Sequence, residues 1–197
     1  MESSLTADPV AQFSRWLSDA TLAGLPEPTA MVLATASLEG LPRARTVLLK
    51  SHGPDGFTFY TNKTSRKGRE LAENPRACLL FPWHAMRRQV IVEGRVSELS
   101  AERSERYFHS RPRGSQLAAW ASRQSTVLAS RAELDDRYSR LAGRWPEGTE
   151  MPMPGFWGGY LVTPDLAEFW QGRENRLHDR FRYRLHDGGW VIERLAP

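Results

Sequence analysis

With 197 residues, 40% hydrophobic and 25% charged, the chain has the length and make-up of one globular domain with its own core. Its net charge of +4 spreads 27 Lys and Arg among 23 Asp and Glu, which argues against a nucleic-acid surface and leaves a few focused cations for small anions. No apolar run reaches the roughly 18 residues of a membrane span, and the lone Cys78 excludes an intrachain disulfide or a cysteine metal cluster.

Met1-Glu2-Ser3-Ser4 has no basic stretch followed by an apolar one, so no secretory leader is expected and the chain reads as cytoplasmic. Residues 1–7 read as a disordered tail. Asp8-Pro9 then supplies an N-cap with proline at the first helical position. Val10, Phe13, Leu17 and Ala20 repeat at helical spacing, which predicts a helix over 9–22. Strands are predicted at 30–37, 43–51 and 57–61, separated by the turns Leu38-Glu39-Gly40 and Gly53-Pro54-Asp55-Gly56. A short helix opens at Thr64-Ser65 and stops at Asn74-Pro75, and strands follow at 76–81 and 89–98. Ser100 caps a helix through Ser110, which Arg111-Pro112 ends. Ser130-Arg131-Ala132-Glu133 is a capping box that starts another, to about Gly143. Four more strand-like segments lie at 157–162, 167–171, 177–184 and 190–195. Short strands with turns between them and helices outside them predict a mainly β, single-domain fold closing into a barrel.

Four segments carry candidate chemistry. In Tyr60-Thr61-Asn62-Lys63-Thr64-Ser65-Arg66-Lys67 a strand ends in polar groups and a helix begins with two cations, against the preference of its dipole. An anion held by backbone N–H groups with Arg66 and Lys67 would resolve that conflict, a solvated surface helix being the other reading. Arg45 and Lys50 sit at the ends of an apolar stretch at odd separation, so on one regular strand they face opposite sides. Strand-end solvation explains them alone; a shared ligand requires a bulge or a subunit boundary. Tyr107 and Arg111 fall on one helical face with Ser115 just beyond, either a phosphate grip or an ordinary surface pair. Arg176, His178 and Arg180 alternate, which places them on one strand face with Leu177 on the other. Three such neighbours repel unless an anion or polar ring lies against them. No dinucleotide, Walker, zincin or hydrolase motif is present.

Taken together, Arg45-Thr46-Val47-Leu48-Leu49-Lys50, Phe59-Tyr60-Thr61-Asn62 with Ser65-Arg66-Lys67, Phe81-Pro82-Trp83, Arg88-Gln89-Val90, Tyr107-Phe108-His109-Ser110-Arg111-Pro112, Ala119-Trp120 with Gln124-Ser125, and Arg176-Leu177-His178-Asp179-Arg180 resemble the pyridoxine 5'-phosphate oxidase family. The final Arg194-Leu195-Ala196-Pro197 fits as well, and the likeness runs from about residue 8. It implies an FMN-binding split β-barrel that oxidises pyridoxine or pyridoxamine 5'-phosphate to pyridoxal 5'-phosphate with O2, without metal. By the same resemblance Arg45, Lys50, Tyr60, Thr61, Ser65, Arg66, Lys67, Gln89, Gln124, Ser125, Trp170 and Arg180 hold or line FMN. Lys50, Tyr107, Arg111 and Ser115 grip the substrate phosphate, and Arg176 and His178 flank its pyridine ring as the catalytic pair. FMN between two subunits implies a homodimer. A flavin oxidase of another ring, such as a phenazine precursor, and a non-catalytic flavin-binding protein are the alternatives. The few residues before Asp8 leave little for the N-terminal arm that closes over the substrate in relatives.

Overall fold

The computed structural model describes residues 2–197. Helix α1 (Pro9–Leu22) starts where Asp8 accepts from the amides of Val10 and Ala11, with Pro9 needing no partner in the first turn. Its buried stripe of Val10, Phe13, Trp16 and Ala20 follows the helical period. Phe13 packs on Phe57, Phe81 and Trp83 at ring separations of 4.9, 4.7 and 5.9 Å, so truncating it to alanine is worth ~3–5 kcal/mol. Residues 2–7, read from sequence as a tail, carry contacts. The Thr6 amide donates to Gln12 Oε1 at 3.0 Å, and the Thr6 carbonyl accepts from the Tyr183 hydroxyl at 2.8 Å. Met1 lies outside the described residues.

The strands are β1 (Ala30–Ala36), β2 (Pro42–Leu48), β3 (Ser51–Gly53), β4 (Gly56–Asn62), β5 (Arg76–Trp83), β6 (Arg88–Glu98), β7 (Trp157–Gln171), β8 (Asp179–His186) and β9 (Gly189–Arg194). All pairings are antiparallel, in the order β2-β1-β5-β6-β7-β4-β3, with β8 on β7 and β9 on β8. The end strands β2 and β3 are consecutive in the chain, so the path curls back on itself. The expected single strand over 43–51 breaks at this link: Leu49 N donates to Thr29 O, whereas Lys50 N donates to Thr58 O on β4. The segments expected at 157–162 and 167–171 are one strand. Its first half pairs β4 and its second half β8, while β6 runs beside both. The register shifts at Glu93/Gly94, where a Cβ on Gly94 would sit 2.1 Å from the Thr163 carbonyl oxygen. Only glycine allows that close approach.

Helices α2 (Arg66–Glu73), α3 (Ala101–Ser110) and α5 (Arg131–Arg144) begin at the expected caps Ser65, Ser100 and Ser130. Helix α4 (Arg113–Ala121) was not anticipated, because Pro112 reads as a stop although it serves here as the N-cap residue. Phe108, Leu117, Met151 and Trp157 form a second small core beside the barrel, to which Tyr60, Tyr107 and Trp120 add partly buried rings. Among the described residues no helix is long and apolar enough to cross a membrane. Cys78 is partly buried, and burial with the nearby Glu93 charge pushes its thiol up to about 11, leaving it unreactive.

Candidate functional site

A cleft of about 700 Å³ opens between the β2–β3 link, the end of β4 and helices α3 and α4. Arg45, Lys50, Tyr60, Thr61 and Lys67 line it, together with Tyr107, Arg111, Ser115 and Gln124. Arg45 and Lys50 share this space because the chain leaves β2 at Leu48, so the opposite facing expected of one regular strand does not arise. An adjoining hollow of about 560 Å³ is lined by Arg43, Arg45, Arg66, Lys67 and Ser125. Arg45 and Lys67 belong to both.

The α2 start gathers cations around one hollow. Gly68 brings the helix so close to Lys63 that a Cβ would meet its carbonyl oxygen at 2.1 Å. Ser65 Oγ caps the Gly68 amide at 3.3 Å. The buried Lys67 amine donates to Gln124 Oε1 at 2.6 Å, Thr61 Oγ1 at 3.1 Å and Ser65 Oγ at 3.3 Å. Burial and the neighbouring Arg45 charge lower its pKa to about 8, against the pull of Glu70. Ser125 adopts a left-handed φ of 71°, which turns the loop after Gln124 toward Arg66.

Within the cleft the rings of Tyr60, Tyr107 and Trp157 stack. Tyr60 and Tyr107 are 3.9 Å apart at 18°, and Tyr60 and Trp157 are 5.4 Å apart at 12°. The Arg111 guanidinium lies 5.0 Å from the Trp157 ring centre, and its Nη1 is enclosed with no hydrogen-bond partner. Burial pushes its pKa down and the neighbouring Tyr107 pulls it back, yet an arginine stays charged. A buried N–H left without an acceptor is unfavourable, and the half-buried guanidinium keeps that donor available to an anion in the cleft. Lys50, Tyr107, Arg111 and Ser115, expected to converge on one phosphate, line the one cleft.

The remaining expected residues lie elsewhere in the chain. Gln89 and Trp170 are cross-strand partners on β6 and β7, and the His178 ring sits 4.7 Å from Trp170. These three line a separate hollow of about 390 Å³, sharing no residue with the first two. The shared strand face of Arg176, His178 and Arg180 is not there, because β8 starts only at Asp179. Arg176 ends a one-turn 3-10 helix in which Asn175 and Arg176 have φ of 54° and 60°, and Leu177 is 70% exposed. The turn is held by Leu177 N donating to Glu174 O and by Arg173 N donating to His178 Nδ1 at 3.1 Å. With Nδ1 accepting, neutral His178 carries its proton on Nε2. Arg180 makes paired hydrogen bonds to Glu168 at 2.8 and 3.0 Å. Arg43 and Trp157 were not singled out from sequence. Arg43 was findable, since it precedes Arg45 by two and shares its strand face, whereas Trp157 read only as a strand opening.

Residues 17–143 match the family model described as pyridoxamine 5'-phosphate oxidase, and residues 157–197 match the pyridoxine 5'-phosphate oxidase C-terminal dimerisation region. A pyridoxine/pyridoxamine 5'-phosphate oxidase of Salinispora arenicola is 57% identical over 100% of this chain and 89% of its own length. One from Thermobifida fusca is 54% identical over 98% of this chain and 90% of its own. Among solved structures, PhzG of Burkholderia lata, in complex with tetrahydrophenazine-1-carboxylic acid, superposes with a TM-score of 0.94 at 31% identity, covering 99% of this chain and 95% of that one. A pyridoxamine 5'-phosphate oxidase-related, FMN-binding protein of Nostoc punctiforme shares the fold at a TM-score of 0.77 and 16% identity, over 98% of this chain and 100% of that one. The mainly β split barrel expected from the sequence is thus the observed fold, and the chain belongs to the pyridoxine/pyridoxamine 5'-phosphate oxidase family of enzymes.

Proposed function

We propose that this chain binds FMN and oxidises pyridoxine 5'-phosphate or pyridoxamine 5'-phosphate to pyridoxal 5'-phosphate, with O2 taking the electrons and leaving as H2O2. The carrying observation is the pair of adjoining cationic hollows, with the enclosed, unpartnered Arg111 guanidinium in the larger one. Two phosphate monoesters of roughly −1.5 to −2 charges each would repel in one cleft without such a set of cations. In this reading Arg45, Ser65, Arg66 and Lys67, with Thr61, Gln124 and Ser125, hold FMN. Lys50, Tyr107, Arg111 and Ser115 grip the substrate phosphate. FMN held there would supply the redox chemistry, a hydride acceptor for the substrate's C4' carbon whose electrons would pass on to oxygen. The protein orients the reacting ring: His178 presents Nε2–H, and Arg176 supplies charge beside it.

The split of the expected residues supports a homodimer with FMN at the subunit interface. Gln89, Trp170, His178, Arg176 and Arg180 of one copy would complete the site begun by Tyr60, Lys67 and Arg111 of the other. The dimerisation region carries the exposed apolar side chains Leu177, Leu185, Val191 and Ile192, surface that a second copy could cover. A reducing, cytoplasmic setting belongs to the same reading, with Cys78 as a free thiol.

The likeness to the Burkholderia lata protein favours a second reading, oxidation of a phenazine precursor. The Lys50–Tyr107–Arg111–Ser115 grip favours a phosphorylated substrate over an unphosphorylated ring. Purification followed by a visible spectrum and chromatography of heat-released cofactor tests the flavin; FAD or no flavin sinks the proposal. Anaerobic bleaching of the flavin band by pyridoxine 5'-phosphate tests the substrate. Bleaching by tetrahydrophenazine-1-carboxylic acid instead selects the second reading.

A further inference from the structure

Glu70 of α2 is buried at 4% exposure and lines neither cationic hollow, yet three side chains converge on it. Its carboxylate accepts from Thr35 Oγ1 at 2.5 Å, Arg43 Nη1 at 2.8 Å and Arg45 Nη2 at 3.2 Å. Arg45 Nη1 in turn donates to Thr35 Oγ1 at 2.6 Å and Leu33 O at 3.1 Å. These bonds fix the guanidinium plane and leave Nε and a hydrogen on Nη2 without a protein acceptor. We infer that Glu70 is a positioning residue for the anion site, holding Arg45 at the junction of the two hollows so that its free donors meet a phosphate. The inference rests on the FMN reading above and assigns this site a residue outside the ligand's reach.

Two effects of the carboxylate oppose each other. As a charge it weakens the attraction of Arg43, Arg45 and Lys67 for an anion. As an anchor it removes the freedom Arg45 would otherwise lose on binding, and it relieves the repulsion among three cations in the empty site. The anchor wins, because a guanidinium that is loose near two other cations swings away from them. The Glu70 carboxyl itself fits an anchoring role. Burial pushes its pKa up, but the hydrogen bonds from Thr35 and Arg43 and the Arg45 charge outweigh this and hold it below the usual carboxylate range. The charged groups facing Lys67 are Arg45 from β2 and Glu70 from its own helix, so loss of the carboxylate also makes Lys67 easier to deprotonate.

The test is FMN binding to deflavinated full-length protein, read by quenching of flavin fluorescence between pH 6.5 and 9.5. Glu70→Gln keeps the size of the side chain and removes its charge. The expected result is a Kd raised about tenfold or more at pH 7, with the alkaline loss of affinity setting in at lower pH than in the wild type, because Lys67 loses the charge that favours its protonated form. The displaced onset reports the lost charge beside Lys67, and the weaker binding at pH 7 reports the lost hold on Arg45. An unchanged or tighter Kd overturns the inference, since charge removal alone predicts tightening. Thr35→Val serves if the first variant fails to fold. It keeps the carboxylate and loses the bridge, so weaker binding with an unshifted onset is expected, and unchanged binding overturns the inference. Wild-type protein that does not quench FMN overturns the cofactor reading and this inference with it.

Discussion

Replacing Arg111 by methionine separates the cleft's purpose from its stability. Met preserves the apolar stem over Trp157 and removes the guanidinium, whose Nη1 is enclosed without a partner. In the free protein the wild type bears the desolvation of that group, about 1–3 kcal/mol, offset by a cation–π contact of ~0.5–2 kcal/mol. The variant without ligand should therefore lie between about 1 kcal/mol less and about 2.5 kcal/mol more stable than wild type, a shift from about 4 °C down to about 10 °C up for a chain of this size. In the loaded protein the balance reverses. A charge-assisted phosphate contact is worth ~1.5–3 kcal/mol, so affinity for pyridoxal 5'-phosphate should fall about 10- to 150-fold. FMN affinity should change by less than about threefold, because Arg45, Arg66 and Lys67 are untouched. Differential scanning calorimetry of the apoprotein and titration calorimetry with each ligand read the three quantities. Equal weakening of both ligands, or a loss of ~2 kcal/mol of stability, would refute the assignment of Arg111 to the substrate phosphate.

His178→Ala and Arg176→Ala should slow flavin reduction by pyridoxine 5'-phosphate at least about tenfold in stopped flow with FMN retained, as a loss of orientation; wild-type rates remove them from the site. Leu177→Ala, at a position 70% exposed in one chain, should leave the monomer's intrinsic stability within about 0.5 kcal/mol and instead weaken self-association. Light scattering should give a dimer, and a stable monomer holding stoichiometric FMN would contradict the two-chain site. Gly94→Ala forces a Cβ to within 2.1 Å of the Thr163 carbonyl oxygen and should cost ~1–3 kcal/mol or more in urea unfolding; a neutral effect would mean the β6–β7 shift is soft.

Local chemistry made much of this fold legible. The Asp8, Ser65, Ser100 and Ser130 caps located four helices because each satisfies amides within its own turn, information contained in a few adjacent residues. What escaped depends on distant partners. Lys50 joins Arg45 only because its amide finds Thr58 on another strand, and α4 begins at a proline that reads as a stop until the second core claims Leu117. The Arg176–His178 alternation misled for the opposite reason: period two was present, but left-handed φ at Asn175 and Arg176 turns it into a loop. Tyr107, Arg111 and Ser115 share one cleft as expected because they sit close in sequence around the Arg111-Pro112 link between α3 and α4. The role of Glu70 was invisible, since nothing in α2 announces that Thr35, Arg43 and Arg45 will reach it.

Strand β7 has a consequence for how the protein behaves on dilution. Trp157 and Trp170 stand thirteen positions apart on it, roughly 43 Å along an extended strand at about 3.3 Å per residue. Even shortened by twist and the irregularity near Pro164, that rigid spacer exceeds the reach of a mononucleotide. A ligand needing both ends of β7 must therefore take one end from each of two chains. If the proposed flavin is such a ligand, its retention becomes a function of protein concentration. Thinning the solution should release flavin in step with dissociation, and added flavin should pull the chains back together by mass action.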